Sequence, residues 1–501
     1  GQTIGINTDD TTVYVAQSGA TLDNSTVTVN GNNNIIAIDT GRSAANLVYN
    51  ATGTGNYLEI GGSAANLVAT ASGQNSNIGI VSGGVVAATP GNINLSAPTG
   101  LAQRFVLQQG GSLTSTGNAG TAYLLTGGTG NQTFEISGTV AIQGNGLFIN
   151  AGDGDDLIFV DSTAVFANSN ISHTLNGGAG NDRLYLYGSG NAPLFTIGIE
   201  RLDVDAGAGG TRTISENGSF SVVNVLNGTL SARRVQALGQ ANSTVNISAG
   251  AVLDLFFTAP SAVNNSFSGT GTIIQNTIDP VTYGGSSSGF TGIFRNLSGA
   301  NATIITSDAF GSGSIVNDGT LSFGGLNLAN NISGTGQVIV TGSGNSRLSG
   351  NNTFSGGLDI QGGILDADSV NALGIGFVTS TTAGGILALG NSNDQTLSNN
   401  LTGNLALVKA GSGVLDLTGS NSYTGGTLIN GGAIRVDGFA RLGTVPVLSN
   451  AGGSLILNYN GAGQLLQTTS FMTGGGSFIK EGGGDVVLDA GAACVHLHGK
   501  G

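Results

Sequence analysis

Apolar and polar residues alternate along this chain in runs of only four to six, as in VLDLTG (Val414–Gly419) and AIRVDG (Ala433–Gly438). A two-residue period puts successive side chains on opposite faces of an extended backbone, which predicts half-buried strands and not amphipathic helices. Gly-Gly, Asn-Gly and Ser-Gly pairs separate the runs, and such residues accept the positive φ of a tight corner without steric strain. SARRVQALG (Ser231–Gly239) supplies at most one short helical turn. The pattern predicts an all-β chain of many short strands joined by glycine-rich corners.

The strands also repeat. Sliding Gly342–Gly374 by 69 residues onto Gly411–Gly443 keeps 14 of 33 positions without a gap, among them Gly356, Gly357, Ile360, Gly362, Gly363 and Asp368. NNTFSGGLDIQGG becomes SNSYTGGTLINGG. Related endings close at Gly239, Gly311, Gly374 and Gly443, at intervals of 72, 63 and 69 residues. A unit of about 68 residues, found from about residue 220, divides into three turns of about 23. SAANLV at Ser43–Val48 returns at Ser63–Val68, a turn of 20. Such a turn cannot bury its own apolar face, whereas a stack of turns can. The expected fold is a single elongated parallel β-helix of roughly 20 coils. Residues 1–30 would form an N-terminal cap or the first coils, 31–490 a continuous β-helix and 491–501 an atypical tail. Gly350–Asp368 and Gly419–Asp437 would superimpose three coils apart.

Composition narrows the function. Only 8% of residues are charged and 89 of 501 are Gly, yet 39% are hydrophobic, far too many for a flexible Gly/Ser linker. A net charge of −14 would repel a phosphate backbone, which excludes nucleic acid as a partner. The single Cys494 permits neither a disulfide framework nor a Cys/His zinc set, and avoidance of Cys fits an exported bacterial protein. No apolar run approaches the roughly 18 residues of a membrane span, and the opening GQTIGINTDD lacks the basic and apolar regions of a signal peptide.

LVKAGSGVLDLTGSNSYTGGTLINGGAIRV (Leu407–Val436) resembles the passenger-associated repeat of Gram-negative autotransporters. A Lys, a Gly-x-Gly, an alternating strand, Asn-x-Tyr-x-Gly-Gly-Thr and a second strand come in that family's order. IERLDVDAGAGGTRTISENGSF (Ile199–Phe220) is similar to another recurrent passenger segment, and such segments cover about half of the chain. The resemblance implies a right-handed β-helical stalk, exported C-terminus first through an outer-membrane β-barrel. No barrel follows in this chain, which stops within a further partial repeat, SFIKEGGGDVVLDAG, before AACVHLHGKG.

For chemistry, two loops stand out: AGDGDDLIF (Ala151–Phe159) and GGAGNDRLY (Gly177–Tyr185). The second fits the Gly-Gly-x-Gly-x-Asp-x-apolar-x nonapeptide of calcium-binding RTX repeats, and the first departs only at Ala151. Calcium takes oxygen ligands, which Asp153, Asp155, Asp156, Asn181 and Asp182 offer beside carbonyls freed by the glycine turns. Asp156 and Asp182 are 26 residues apart, about one coil, and are expected at one corner. The RTX pattern is tandem and this pair is not, so plain glycine corners carrying an Asp are the alternative. Other groups suggest packing or loop roles. Asp203 and Asp205 read as alternation on an exposed strand face, and GSSSG around Ser287 as loop without the strand–helix setting of a nucleophile. His173 is the only His away from the tail, and Phe354 and Tyr423 are repeat-equivalent and read as packing residues. His496 and His498 form a tail pair. No catalytic residue is assigned.

These features predict a non-enzymatic, extracellular rod at a bacterial cell surface, adhesive or structural. Its partners would be host or neighbouring-cell surface molecules or glycans, other copies of itself, and a separate translocator. The competing readings are a β-helical polysaccharide-processing enzyme and a calcium-dependent surface-array or filament subunit.

Overall fold

The computed structural model describes residues 1–87, 92–95, 102–114, 123–142, 146–167, 173–462, 464–467, 471–488 and 496–499. Among these residues there is no α-helix, and parallel strands stack as a β-solenoid with about 21 coils in all. The chain divides into two compact units, Gly1–Phe257 and Thr258–Gly501.

In the first unit, one sheet begins with Thr3–Ile6, Thr26–Val29 and Val48–Ala51, and a second with Thr12–Val15, Ile35–Ile38 and Tyr57–Ile60. A third, shorter sheet runs from Ser63–Ala65 to Val165–Phe166. Alternation sets the register. In TVTV (Thr26–Val29) both valines are buried and both threonines face outward. Val27 stacks on Tyr49, Tyr49 on Ala69, Ala69 on Ile93 and Ile93 on Leu125, all buried. Each full burial of a large apolar side chain contributes about 1.5–3 kcal/mol, and here the neighbouring coils supply much of the cover.

The second unit contains the repeats. The shared endings fold as 3₁₀ turns at Val370–Leu373 and Phe439–Leu442, closed by Gly374 and Gly443 with φ of 69° and 74°. Each closing glycine sits on an aromatic residue of the preceding coil. A Cβ at Gly374 would come within 2.8 Å of the Phe354 ring, and one at Gly443 within 3.1 Å of the Tyr423 ring. The backbone completes the lock, since Ile375 N–H donates to the Phe354 carbonyl at 3.0 Å and Thr444 N–H to that of Tyr423 at 3.1 Å. Ser312 N–H meets the Phe290 carbonyl at 3.1 Å beside Gly311 in the same way. In the first unit Gly239 follows the turn Val235–Leu238 and lies against Phe220.

One expectation is corrected. Leu358 pairs with Val378 and Val378 with Leu401, and the Leu401 carbonyl accepts the Ser422 N–H at 2.8 Å, so three coils end near residue 422, short of Thr427. A repeat therefore overshoots three coils and lands on the next face. Leu358–Ile360 shares its sheet with Leu401–Gly403, but its equivalent Thr427–Ile429 lies in the sheet of Ile364–Ala367. The equivalent of Ile364–Ala367, Gly432–Val436, lies in yet another sheet, with Val414–Leu417. Every face asks for the same alternation, so the sequence unit fits each of them.

Candidate functional site

In the second sheet of the first unit a polar residue immediately precedes or opens each of seven successive strands: Asn34, Asn56, Ser76, Gln103, Gln132, Asp156 and Asp182. The strands they introduce are in-register neighbours, so these residues form one column, and all are buried. A buried N–H at a corner must find an acceptor. The side chain one coil later provides it. Asn34 Oδ1 accepts the Thr11 N–H at 2.8 Å, and Asn56 Oδ1 the Asn34 N–H at 2.9 Å. Asp156 Oδ1 accepts the Gln132 N–H at 2.6 Å, and Asp182 Oδ1 the Asp156 N–H at 2.8 Å. Glu200 Oε2 then takes the Asp182 N–H at 2.8 Å.

The other end of the side chain distinguishes the coils. Asn56 Nδ2 donates to the carbonyls of Gly31 and Gly53 at 2.9 and 2.8 Å, and Gln103 Nε2 donates to that of Gly73 at 3.0 Å. Ser76 Oγ donates to Gly53 at 3.0 Å. The slot is thus lined by glycine-turn carbonyls and takes a donor. In Asp156 and Asp182 the second atom is an acceptor, Oδ2, and in both it is buried without a partner. Gln132 leaves both side-chain amide atoms unpartnered. Burial pushes Asp156 up to about 8, the Gln132 N–H opposes this, and the charges of Asp182, Asp155 and Asp153 add to it. Burial likewise pushes Asp182 up to about 6 against the Asp156 N–H, with Glu200 and Asp155 adding.

Of the five residues expected on calcium, the fold brings Asp156 and Asp182 to one register on adjacent coils. Asp155 and Asn181 form a separate, exposed pair, in which Asp155 Oδ1 accepts the Asn181 N–H at 2.9 Å. Asp153 is exposed, and its N–H donates to the Gly128 carbonyl at 2.7 Å. Among the described residues no three His, Cys, Asp or Glu side chains gather as a metal set. The part that fits a cation is the inner column with its orphaned oxygens, and the outer residues do not converge on it. Reading the column from sequence requires comparing the residue that leads into each of these strands, a signal that individual loop motifs do not contain.

The remaining candidates are accounted for by packing. Ser287 is buried and its Oγ accepts the Phe267 N–H at 2.9 Å. His173 is buried, accepts the Leu147 N–H on Nδ1 at 3.0 Å, and is pushed down to about 4 by burial. Phe354 and Tyr423 are fully buried. Asp203 lies on the outer strand face as expected, but it is wholly covered, paired with Arg183 and Arg201 at 2.5 and 2.9 Å. Cys494 lies outside the described residues, and His496 and His498 are placed by backbone alone in a strand pairing with Ser477–Glu481. In the second unit a groove of about 290 Å³ is lined by Thr396, Asp416, Thr418, Arg435, Asp437 and Asn458, with Leu417 and Val436. Arg435 grips both oxygens of Asp416, and Arg441 both oxygens of Asp437, which holds the Asp437 carboxyl below the usual range.

The passenger-associated transport repeat family matches residues 338–367 and 407–436, the two segments related by the 69-residue shift. Each match ends on the strand that precedes a 3₁₀ turn and its closing glycine. The chain carries two passenger-associated transport repeats and so is similar to autotransporter passengers. A curated relative, the adhesin BmaC autotransporter of Brucella suis biovar 1 (strain 1330), is 29% identical over 296 residues, covering 46% of this chain. The chain spans only 8% of that relative's length.

Proposed function

We propose that this chain is a non-enzymatic adhesin segment, contacting surface glycans or proteins of host or neighbouring cells, or other copies of itself, at many weak points. The observation that carries this reading is the uncharged polar ladder on its outer faces. Asn24, Asn46 and Asn66 join side chain to side chain at 2.8 Å on successive coils, and Asn150–Asn176, Asn224–Asn246 and Asn430–Asn450 do the same at 2.7–2.8 Å. Amides repeated on successive coils in these stretches offer donors and acceptors at the coil spacing, so weak contacts add through effective concentration. The similarity to a protein named as an adhesin supports the same direction.

The enzyme reading finds less support. A glycoside-cleaving pair needs one carboxyl held protonated beside one ionised. In the groove, Asp437 is drawn the opposite way by Arg441, and Asp416 is clamped by Arg435. The test is binding of the purified chain, as a monomer and displayed on beads, to epithelial cells and to a glycan array, with sedimentation to read self-association. Bead-enhanced retention or self-association is expected. Glycan cleavage, or absence of both binding and association, would overturn the reading.

A further inference from the structure

We propose that the polar column of the first unit holds a divalent cation of the calcium type, bound by Asp156 Oδ2 and Asp182 Oδ2 with carbonyl oxygens of the adjoining glycine turn. In the coils before it, this slot pairs turn carbonyls with the amide donors of Asn56 and Gln103 and the hydroxyl of Ser76. At Asp156 and Asp182 the donors give way to acceptors facing acceptors. A cation is a partner that satisfies acceptors alone.

The orphaned atoms line one stack of turns, each against the turn of its own coil. A Cβ at Gly127 would lie 2.6 Å from Gln132 Oε1 and 1.8 Å from the Ala151 carbonyl oxygen. One at Gly177 would lie 2.5 Å from Asp182 Oδ2 and 2.1 Å from that of Gly198. Gly127, Ala151 and Gly177 follow one another on successive coils, since Thr126 pairs with Asn150 and Asn150 with Asn176. All three side chains are at least 98% buried, at 1%, 2% and 1% exposure for Gln132, Asp156 and Asp182.

The spacing suits calcium. Equivalent atoms on neighbouring coils stand about 4.8 Å apart. An ion midway between the two Oδ2 atoms is then about 2.4 Å from each, within the calcium–oxygen range. Charge points the same way. Asp153, Asp155 and Glu200 surround the pair with further negative charge, while Arg183 and Arg201 are both engaged by Asp203.

Hydrogen exchange of the full chain tests this independently of any adhesive role. The probes are the amides of Gln132, Asp156 and Asp182, compared in calcium chloride and in chelator. At calcium tenfold above the dissociation constant, exchange through local opening should slow about tenfold. The double substitution Asp156→Asn with Asp182→Asn restores the donors, and should keep protection in chelator while losing the calcium response. Equal wild-type exchange in both conditions would overturn the proposal. So would a calcium response that survives the double substitution, which would move the ion to Asp153 and Asp155. Protection that ignores calcium but falls as pH rises would assign protons to the slot instead. If the double variant does not fold, calorimetric titration of the wild-type chain with calcium decides: one site per chain supports the proposal and no heat overturns it.

Discussion

Asn56 uses both ends of its amide, its Oδ1 toward the Asn34 N–H and its Nδ2 toward Gly31 and Gly53. Asn56→Asp keeps the shape and the first contact but turns the second donor into an acceptor. While the new carboxyl is protonated it still donates. As pH rises past the unfolded value near 4 it must either ionise without a partner or stay protonated at a cost. The variant should come closest to wild type below pH 4, where its single O–H still meets one of the two carbonyls, and lose about 1–3 kcal/mol more by neutral pH, read by urea denaturation or local exchange. His173 tests the opposite sign. Its folded pKa of about 4 lies below the unfolded value of about 6.5, so its contribution is complete above 6.5 and is lost as pH falls through 4, to about 3 kcal/mol at most. His173→Gln, which retains an acceptor for the Leu147 N–H, should flatten exchange protection of residues 147–150 across that range. The polar residues of the column are plain in the sequence. Their roles are not, because whether an atom must donate or accept is decided by backbone a full coil away.

The aromatic–glycine lock is the clearest element-level device. Tyr423 and Phe354 are equivalent, yet their surroundings differ by one residue: the Tyr423 hydroxyl lies 2.5 Å from Thr427 Oγ1, where the earlier repeat has Leu358. Phe354→Tyr should therefore bury a hydroxyl with no such partner and destabilise the second unit by about 1–3 kcal/mol. Tyr423→Phe should cost about 1 kcal/mol, and Phe354→Tyr combined with Leu358→Thr should recover most of the loss, all read as denaturation midpoints. Alternation and glycine corners made the strands legible, and the ALG endings marked the turns. Phe220 and Phe290 escaped notice as members of the lock because the residues around them do not share the Asn-x-aromatic-x-Gly-Gly context. Coil length was misjudged for a related reason. The number of residues spent in a corner is set by how glycines stack, which pattern alone does not count.

At the scale of the molecule, each unit is a stack whose stability is the sum of neighbouring contacts, so a charge placed in the core damages the coils on either side. Leu415 and Leu417 in the second unit and Ile36 and Ile38 in the first are all buried. If a passenger emerges C-terminus first, Leu415→Asp with Leu417→Asp removes an early nucleus, whereas Ile36→Asp with Ile38→Asp disturbs coils added late. The first pair should abolish most secreted, protease-resistant protein and the second should spare much of it. Equal loss would count against ordered propagation.

The advance of each repeat onto a new face has a bearing on how the second unit meets other surfaces. Equivalent outward residues do not form a stripe along one side; they climb like the treads of a winding stair. A flat carpet of receptors approaching from one direction would meet only one of the two equivalent treads. Neighbours approaching from two directions would each find the same tread facing them. Such a stair is suited to bundling and to tangled, many-sided matrices more than to zippering along a plane.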